Sequence, residues 1–447
     1  MTTGLEEQIG AWREFVRARA VMAGDVAELE SHLRDQIEGL EASGLSSDEA
    51  FLVAVKRMGR LDDLSREFAR EHSDRLWKQL VVGGSGAPDR VSTGLTLAVG
   101  LAIAAALAIN LPKLFGFTLA SNPDVYLRNA PVLVLPFLAA FFLIRRRARL
   151  ATVIAVAAPF VVAGILLNVY PFASGGVTEV LAAIHAGVAL WIVLGIAYIN
   201  GNWRSDRARM DFIRFTGEWF VYFALLGLGG GVLIALTIGL FNAIGLDVMW
   251  FVDGWMLPCG VAGAVVIAGW LVEAKQSVIE NIAPVLTKVF TPLFTLLLLA
   301  LIAAGLVQGN VIDSQRDLLI LFDITLVVVL GLLLYSMSAR QPADPPSWFD
   351  RLQLLMVLAA LAIDVLLLIA MIGRIGTYGA SANKLASLGL NLILLANLAG
   401  AAWLQFGFVR GRVAFGRLER WQTSYVPVYL AWAIVVVVVF PPVFGFV

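Results

Sequence analysis

The chain has 447 residues, 59% of them apolar and only 15% charged, with a mean hydropathy of +0.83 and a formal net charge of +0. That balance excludes an ordinary soluble multidomain protein, and a single cysteine, Cys259, excludes an intrachain disulfide or a cysteine-rich zinc site. Charge is unevenly spread: residues 1–90 hold 12 Lys and Arg against 17 Asp and Glu, and residues 91–447 hold 21 against 16, so an acidic head precedes a basic, apolar remainder.

The head, residues 1–80, reads as four amphipathic helices. The first covers about 5–20, with Ile9, Trp12, Phe15 and Val16 on one face. The second opens at Asp25, an N-cap residue with Glu28 three places on. Its stripe of Val26, Leu29, Leu33, Ile37 and Leu40 steps by three or four residues up to Gly44. Ser46 with Glu49 forms a second capping box, before Phe51, Ala54, Val55 and Met58, and Leu61, Leu64 and Phe68 mark a short fourth helix. The N-terminus is charged rather than apolar, so no cleavable signal peptide is expected, and the first apolar segment serves as an internal anchor. His32 and His72 read as surface residues, since neither has a second ligand at helical spacing.

The strings Glu28-Leu29-Glu30-Ser31-His32-Leu33-Arg34-Asp35, Gly44-Leu45-Ser46-Ser47-Asp48-Glu49-Ala50 and Val55-Lys56-Arg57-Met58-Gly59 resemble a permease prefix domain, close to the HAAS-type signalling module, over about residues 5–72. The resemblance implies a cytoplasmic regulatory or docking module that binds a protein partner, and it supplies no catalytic residue. A net charge of −5 argues against nucleic acid or lipid phosphate as the partner of this head. Residues 81–91, with Gly83-Gly84-Ser85-Gly86-Ala87-Pro88, read as a flexible Gly/Pro linker. Ser85 also matches the Gly-x-Ser-Gly pattern of intramembrane serine proteases, but in a tether it has no partner histidine.

From residue 92 to 447 the chain reads as a transmembrane domain. A spanning helix needs about 20 apolar residues to cross about 30 Å of hydrocarbon, and eleven stretches qualify: 92–111, 129–144, 150–170, 177–199, 217–243, 250–272, 284–307, 317–337, 351–372, 384–404 and 425–443. The second is short and is expected to begin earlier. These runs are too continuous for barrel strands. The expected fold is therefore all-α: a polytopic bundle of about eleven membrane helices, N-terminus in and C-terminus out, with a small cytoplasmic helical head.

Orientation follows from the run Arg145, Arg146, Arg147 and Arg149, which has no acidic residue near it in the sequence. With that run placed inside, the inner loops also receive Arg204, Arg207, Arg209, Arg214, Lys275, Arg340, Arg351, Arg410, Arg412, Arg417 and Arg420. The outer loops receive only Lys113, Arg128, Arg316, Arg374 and Lys384. Fifteen against five is a strong positive-inside bias, and it reads these arginines as topology determinants rather than a phosphate-binding patch. The expected location is the plasma or inner membrane.

A second resemblance covers the C-terminal third. Arg374-Ile375-Gly376-Thr377-Tyr378-Gly379 with Asn383 and Leu390-Asn391-Leu392 form one part. Arg420-Trp421, Tyr425-Val426-Pro427-Val428-Tyr429 and Phe440-Pro441-Pro442 form the other. Together they resemble a family of uncharacterised bacterial polytopic membrane proteins, which implies architecture and no mechanism.

Ionisable groups inside spanning segments are costly and face a bundle interior or a cavity. Asp364 falls near mid-membrane, while Asp323, His185 and Asn391 fall in the outer half. Asp253 sits nearer the outer edge, and Lys288 lies close enough to the inner edge to snorkel. If the helices bring them together, Asp364, Asp323, Asn391, His185 and Asp253 make an outer-half polar cluster suited to an ion or proton relay; the plainer reading is a hydrogen-bond network that fixes packing, with His185 a core histidine and Asn391 helix-to-helix glue. Gly227-Leu228-Gly229-Gly230-Gly231 and Pro258-Cys259-Gly260 are expected to interrupt the fifth and sixth segments, as broken helices do in transporters. No phosphate loop, His-Glu-x-x-His zinc motif or nucleophile elbow occurs, so neither an enzyme nor a bound metal or cofactor is expected. The two readings that remain are a permease-like protein of unspecified substrate with a regulatory head, and a non-transporting membrane signalling or scaffold protein. Composition leaves the oligomeric state open.

Overall fold

The structure is a computed structural model and describes residues 5, 6, 8–10, 12, 13, 23–43, 45–58, 87–274, 282–308, 316–340 and 344–447. It divides into two units, Met1–Thr93 and Gly94–Val447.

In the first unit, α1 (Ala23–Glu41) and α2 (Ser47–Met58) pack together beside helical turns within residues 5–13. Ile9, Trp12, Leu33, Ile37, Leu40, Phe51 and Val55 share one core, so these members of the expected apolar stripes converge; the side chains of Val26, Leu29 and Met58 lie outside the described residues. The Ser46 backbone N–H and hydroxyl both donate to the Glu49 carboxylate, at 3.0 and 2.8 Å, so one arm of the capping box is formed. Those bonds hold the Glu49 carboxyl below its ordinary range. Arg13 donates twice to Glu30, at 2.5 and 2.6 Å, and Arg34 bridges Glu6 and Glu30, which together hold the Glu30 carboxyl low. Asp25 stands inside the first turn of α1 rather than ahead of it. Ala23 is a good helix former, and helix ends shift by a residue or two at little cost. Phe15, Val16, the fourth helix expected over 61–68, His72 and residues 81–86 of the expected linker lie outside the described residues. Residues 87–91 belong to a helix and not to the linker, because Pro88 falls at its second position, where a missing N–H leaves no bond unmade.

The chain then runs through α3 (Ala87–Ala108), a 3₁₀ turn (Leu111–Phe115), α4 (Pro123–Arg145), α5 (Leu150–Val169), α6 (Val177–Tyr198) and α7 (Asp206–Ala243). A short turn (Met249–Phe251) and a π-helical segment (Val252–Met256) lead into α8 (Leu257–Ala274). The remainder is α9 (Ile282–Gln308), α10 (Arg316–Ala339), α11 (Trp348–Tyr378), α12 (Ala382–Val409), α13 (Phe415–Val438) and a last turn (Phe440–Val443). Eleven segments among the described residues are long and apolar enough to cross a membrane, and no strand occurs among them: this is an all-α, multi-pass helical bundle. The second span does begin early, at Pro123, and the fifth extends over 38 residues. In hydrocarbon every backbone polar group must be satisfied within its own segment, which is why apolar runs of this length fold as helices.

Between lipid-immersed helices the hydrophobic effect gives little drive, so small residues and close contacts decide the neighbours. One core joins α3 to α8, with Phe142 set edge-on to Tyr198 and Phe215 at 5.2 Å from each. A second core joins α9 to α13. The two are tied by α13 against α6 and by α10 against α7. Gly389 and Gly400 admit the Trp432 and Trp421 rings of α13 so closely that a side chain at either position would collide with them.

At one end of the bundle Arg145 and Arg146 converge on Glu273, at 3.8 and 2.5 Å, so the run without an acid nearby in sequence finds one through the fold. At the same end Arg214 of α7 donates to the Ser338 carbonyl of α10, and Arg340 pairs with Asp350 at 2.5 Å. The opposite end holds the Arg128–Glu179 pair at 3.2 Å and the Ala173 N–H to Phe446 carbonyl bond at 2.9 Å.

The expected interruption at 227–231 is absent: α7 runs unbroken through it. Glycine lacks only a Cβ, and in lipid no water competes for its backbone, so the helix continues. The interruption near Pro258 is real but lies upstream, over 252–256. Pro258 has no N–H for the carbonyl of Gly254 four residues back, and the Lys113 ammonium donates to that carbonyl instead while lying 4.0 Å from the Trp255 ring centre.

Candidate intramembrane carboxylate site

Three helices of the second core, α10, α11 and α12, pack on one another and carry Asp323, Asp364 and Asn391. Asp364 is completely buried, halfway along α11, between Ala360, Ile363 and Leu367. Neither of its carboxylate oxygens has a hydrogen-bond partner among the described residues. Among the described residues, Asp323 is near enough to act on it. Asp323 is also buried; its Oδ1 accepts from the Asn391 Nδ2 at 3.0 Å, and Ser387 of the same α12 lies beside its carboxylate. The Asn391 Oδ1 is buried and has no partner among the described residues.

The arrangement therefore has two parts. Asp323 is held by Asn391. Asp364 stands beside it with neither oxygen hydrogen-bonded among the described residues, next to the buried Ala360, Ile363 and Leu367 of its own helix. Burying a charge without a partner is expensive, and polar atoms so placed in a packed interior call for an explanation beyond packing. Chemically the site offers a proton-accepting group and a neighbouring acceptor that can share a cation or hold a proton in transit.

Of the other residues singled out from the sequence, His185 is half-buried on α6 and its Nδ1 faces the Leu181 carbonyl of its own helix at 2.8 Å. Asp253 is exposed in the π-helical segment. No hydrogen bond among the described residues joins either of them to the carboxylates, so the five-residue cluster reduces to three. Helix α6 does pack against α12, but the His185 ring is engaged with a carbonyl of its own helix and Asp253 is exposed, so neither joins the carboxylates.

Sequence reasoning passed over a second set of buried polar groups toward the arginine-rich end. A pocket of about 340 Å³ there is lined by Thr287, Lys288, Arg340, Asp350, Gln353 and Gln405 among others. Asp350 and Ser347 cap α11 reciprocally, and Gln405 of α12 donates to the Asp350 carbonyl at 3.1 Å. Threonines at every fourth position of α9 are the sequence signal that was available for this region. Compared with protein-family models, with curated proteins and with solved structures, the chain matches none.

Proposed function

We propose that the chain is a permease-like carrier in which Asp364 exchanges a proton, coupled to movement of a small solute, with Asp323 and Asn391 as its support. The observation that carries this is the bare, fully buried Asp364 carboxyl at the centre of a long membrane helix. A structural carboxylate is normally paired or hydrogen-bonded, because lipid offers nothing else to stabilise it. A carboxyl that must take up and release a proton is better left without a permanent partner.

The arginine distribution supports a cell-membrane location with the arginine-rich loops and residues 1–80 in the cytoplasm. There the head, with its own core and the resemblance to a prefix module, serves as a docking site for a protein partner that regulates the membrane domain. No covalent chemistry is assigned to the chain.

The test is solute-driven proton uptake into liposomes carrying the purified protein, with a solute panel and an internal pH dye. The parent protein is expected to acidify the lumen with at least one solute, and Asp364→Asn to reduce that uptake by tenfold or more. Uptake unchanged in Asp364→Asn removes the carboxyl from the mechanism. No uptake with any solute in the panel favours the other reading, a signalling or scaffold protein.

A further inference from the structure

Helix α9 turns most of its surface outward, with Val289, Leu293 and Leu296 exposed, yet Thr287, Thr291 and Thr295 are only 2%, 0% and 3% exposed. Residues four apart share a helix face, so the three hydroxyls form one inward stripe, on the side where α9 packs against α10 and α11. A threonine in a membrane helix usually satisfies itself by donating to the carbonyl four residues back. Thr295 does so, at 2.7 Å to the Thr291 carbonyl. Thr291 does not: its Oγ1 is fully buried without a partner among the described residues. On α11 the Gln353 Nε2 is likewise buried and unpartnered, and Gln353, Ala360 and Asp364 follow one face at steps of seven and four.

Both rows start at the same place. Thr287 and Gln353, near the first ends of α9 and α11, line the pocket at the arginine-rich end, so the two helices run parallel from it. At 1.5 Å per residue, Thr295 stands about 12 Å above Thr287, and Asp364 about 16 Å above Gln353. The threonine stripe therefore climbs from the pocket to within about one helical turn of the carboxyl.

We infer that Gln353, Thr291 and Thr295 line a file of water that carries protons between this pocket and Asp364. A hydronium ion in the pocket gives up a proton, the proton passes along the hydrogen-bonded waters, and the Asp364 carboxylate takes it as the carboxylic acid; release runs in reverse. The hydroxyls and the amide each donate and accept, which a proton-conducting file requires of its walls. The purpose of the file rests on the carrier reading above, but its existence is tested without any transport.

Single cysteines are placed at Thr291 and Thr295 in a Cys259→Ser background, and membranes holding the full chain are exposed to silver ion, which follows water through narrow paths. Thiols left free are then counted with a fluorescent maleimide after denaturation. Thr291→Cys and Thr295→Cys are expected to be protected by silver at least tenfold faster than Val266→Cys, which is fully buried in the other core. Adding Thr291→Val is expected to slow protection of Thr295→Cys severalfold while leaving a cysteine at exposed Lys288 unaffected. Protection of the two threonine positions no faster than that of Val266→Cys overturns the file. So does indifference of Thr295→Cys to Thr291→Val. Proton flux dependent on Asp364 without silver access would keep the carrier and discard this route; silver access without flux would keep the route and discard the carrier.

Discussion

Asp364 and Asn391 are both fully buried polar residues of one small cluster, and their substitutions are expected to act in opposite directions. Asp364 has no hydrogen-bond partner to lose among the described residues, so Asp364→Asn removes a bare carboxylate while keeping the shape of the side chain. Relief of its desolvation is expected to stabilise the detergent-solubilised protein by about 1–3 kcal/mol. Asn391→Leu strips the Asp323 carboxylate of its 3.0 Å bond and is expected to destabilise by a similar 1–3 kcal/mol or so. Urea unfolding in mixed micelles, followed by tryptophan fluorescence, gives both values; a loss of stability in Asp364→Asn would mean that the carboxyl is structural after all. A residue that costs stability where it stands is the usual mark of a functional group. Asp364 was legible in the sequence because a carboxyl in the middle of an apolar run has few innocent explanations. The Asp323–Asn391 bond was not, since nothing along the chain says which helices are neighbours. The threonine stripe escaped notice because an isolated threonine can satisfy its hydroxyl on its own helix.

The helices themselves were largely written in the apolar runs, and the errors fell where one helix depends on another. Glycines at 227–231 suggested a break that α7 does not make, whereas Pro258 leads to a break several residues before itself, where its missing N–H leaves a carbonyl open. Closing that gap is the work of Lys113, far away in sequence and on the turn after α3. The two residues should therefore be coupled. Lys113→Met alone is expected to destabilise, since hydrogen bonds to charged groups contribute about 1.5–3 kcal/mol. In a Pro258→Ala background the restored N–H can bond the Gly254 carbonyl, and the effect of Lys113→Met is expected to fall by about half or more, a coupling of about 1 kcal/mol. A four-corner cycle of the single and double variants under the same urea titration measures it. Additive losses would show that the lysine stabilises this segment only through the Trp255 ring.

At the scale of the whole molecule, the arginines on which the proposed topology rests also build one end of it. Arg145, Arg146, Arg214 and Arg340 are not spare charges: each has a carboxylate or carbonyl partner there, drawn from another segment. A bundle end secured in this way resists inversion for two reasons, the cost of moving the charges across and the loss of the contacts they make once in place. In the orientation proposed above, that end and the pocket that opens on it face the cytoplasm, and the Arg128–Glu179 end faces outside. Proton entry from the pocket would then start from the cytoplasm, so the sense of any gradient-driven transport depends on the orientation. Reporter fusions resolve it. A fluorescent protein that matures only in the cytoplasm and a phosphatase active only outside are inserted in turn after Ala148 and after Ser174, in the short connections that follow α4 and α5. Fluorescence is expected from the first site and phosphatase activity from the second. Neutralising Arg145, Arg146, Arg147 and Arg149 together is expected to lower the fluorescent fraction at the first site, because the cytoplasmic bias of that connection rests on those four charges. Phosphatase activity at Ala148 in the unmodified chain would turn the whole assignment over, head, pocket and proton entry together.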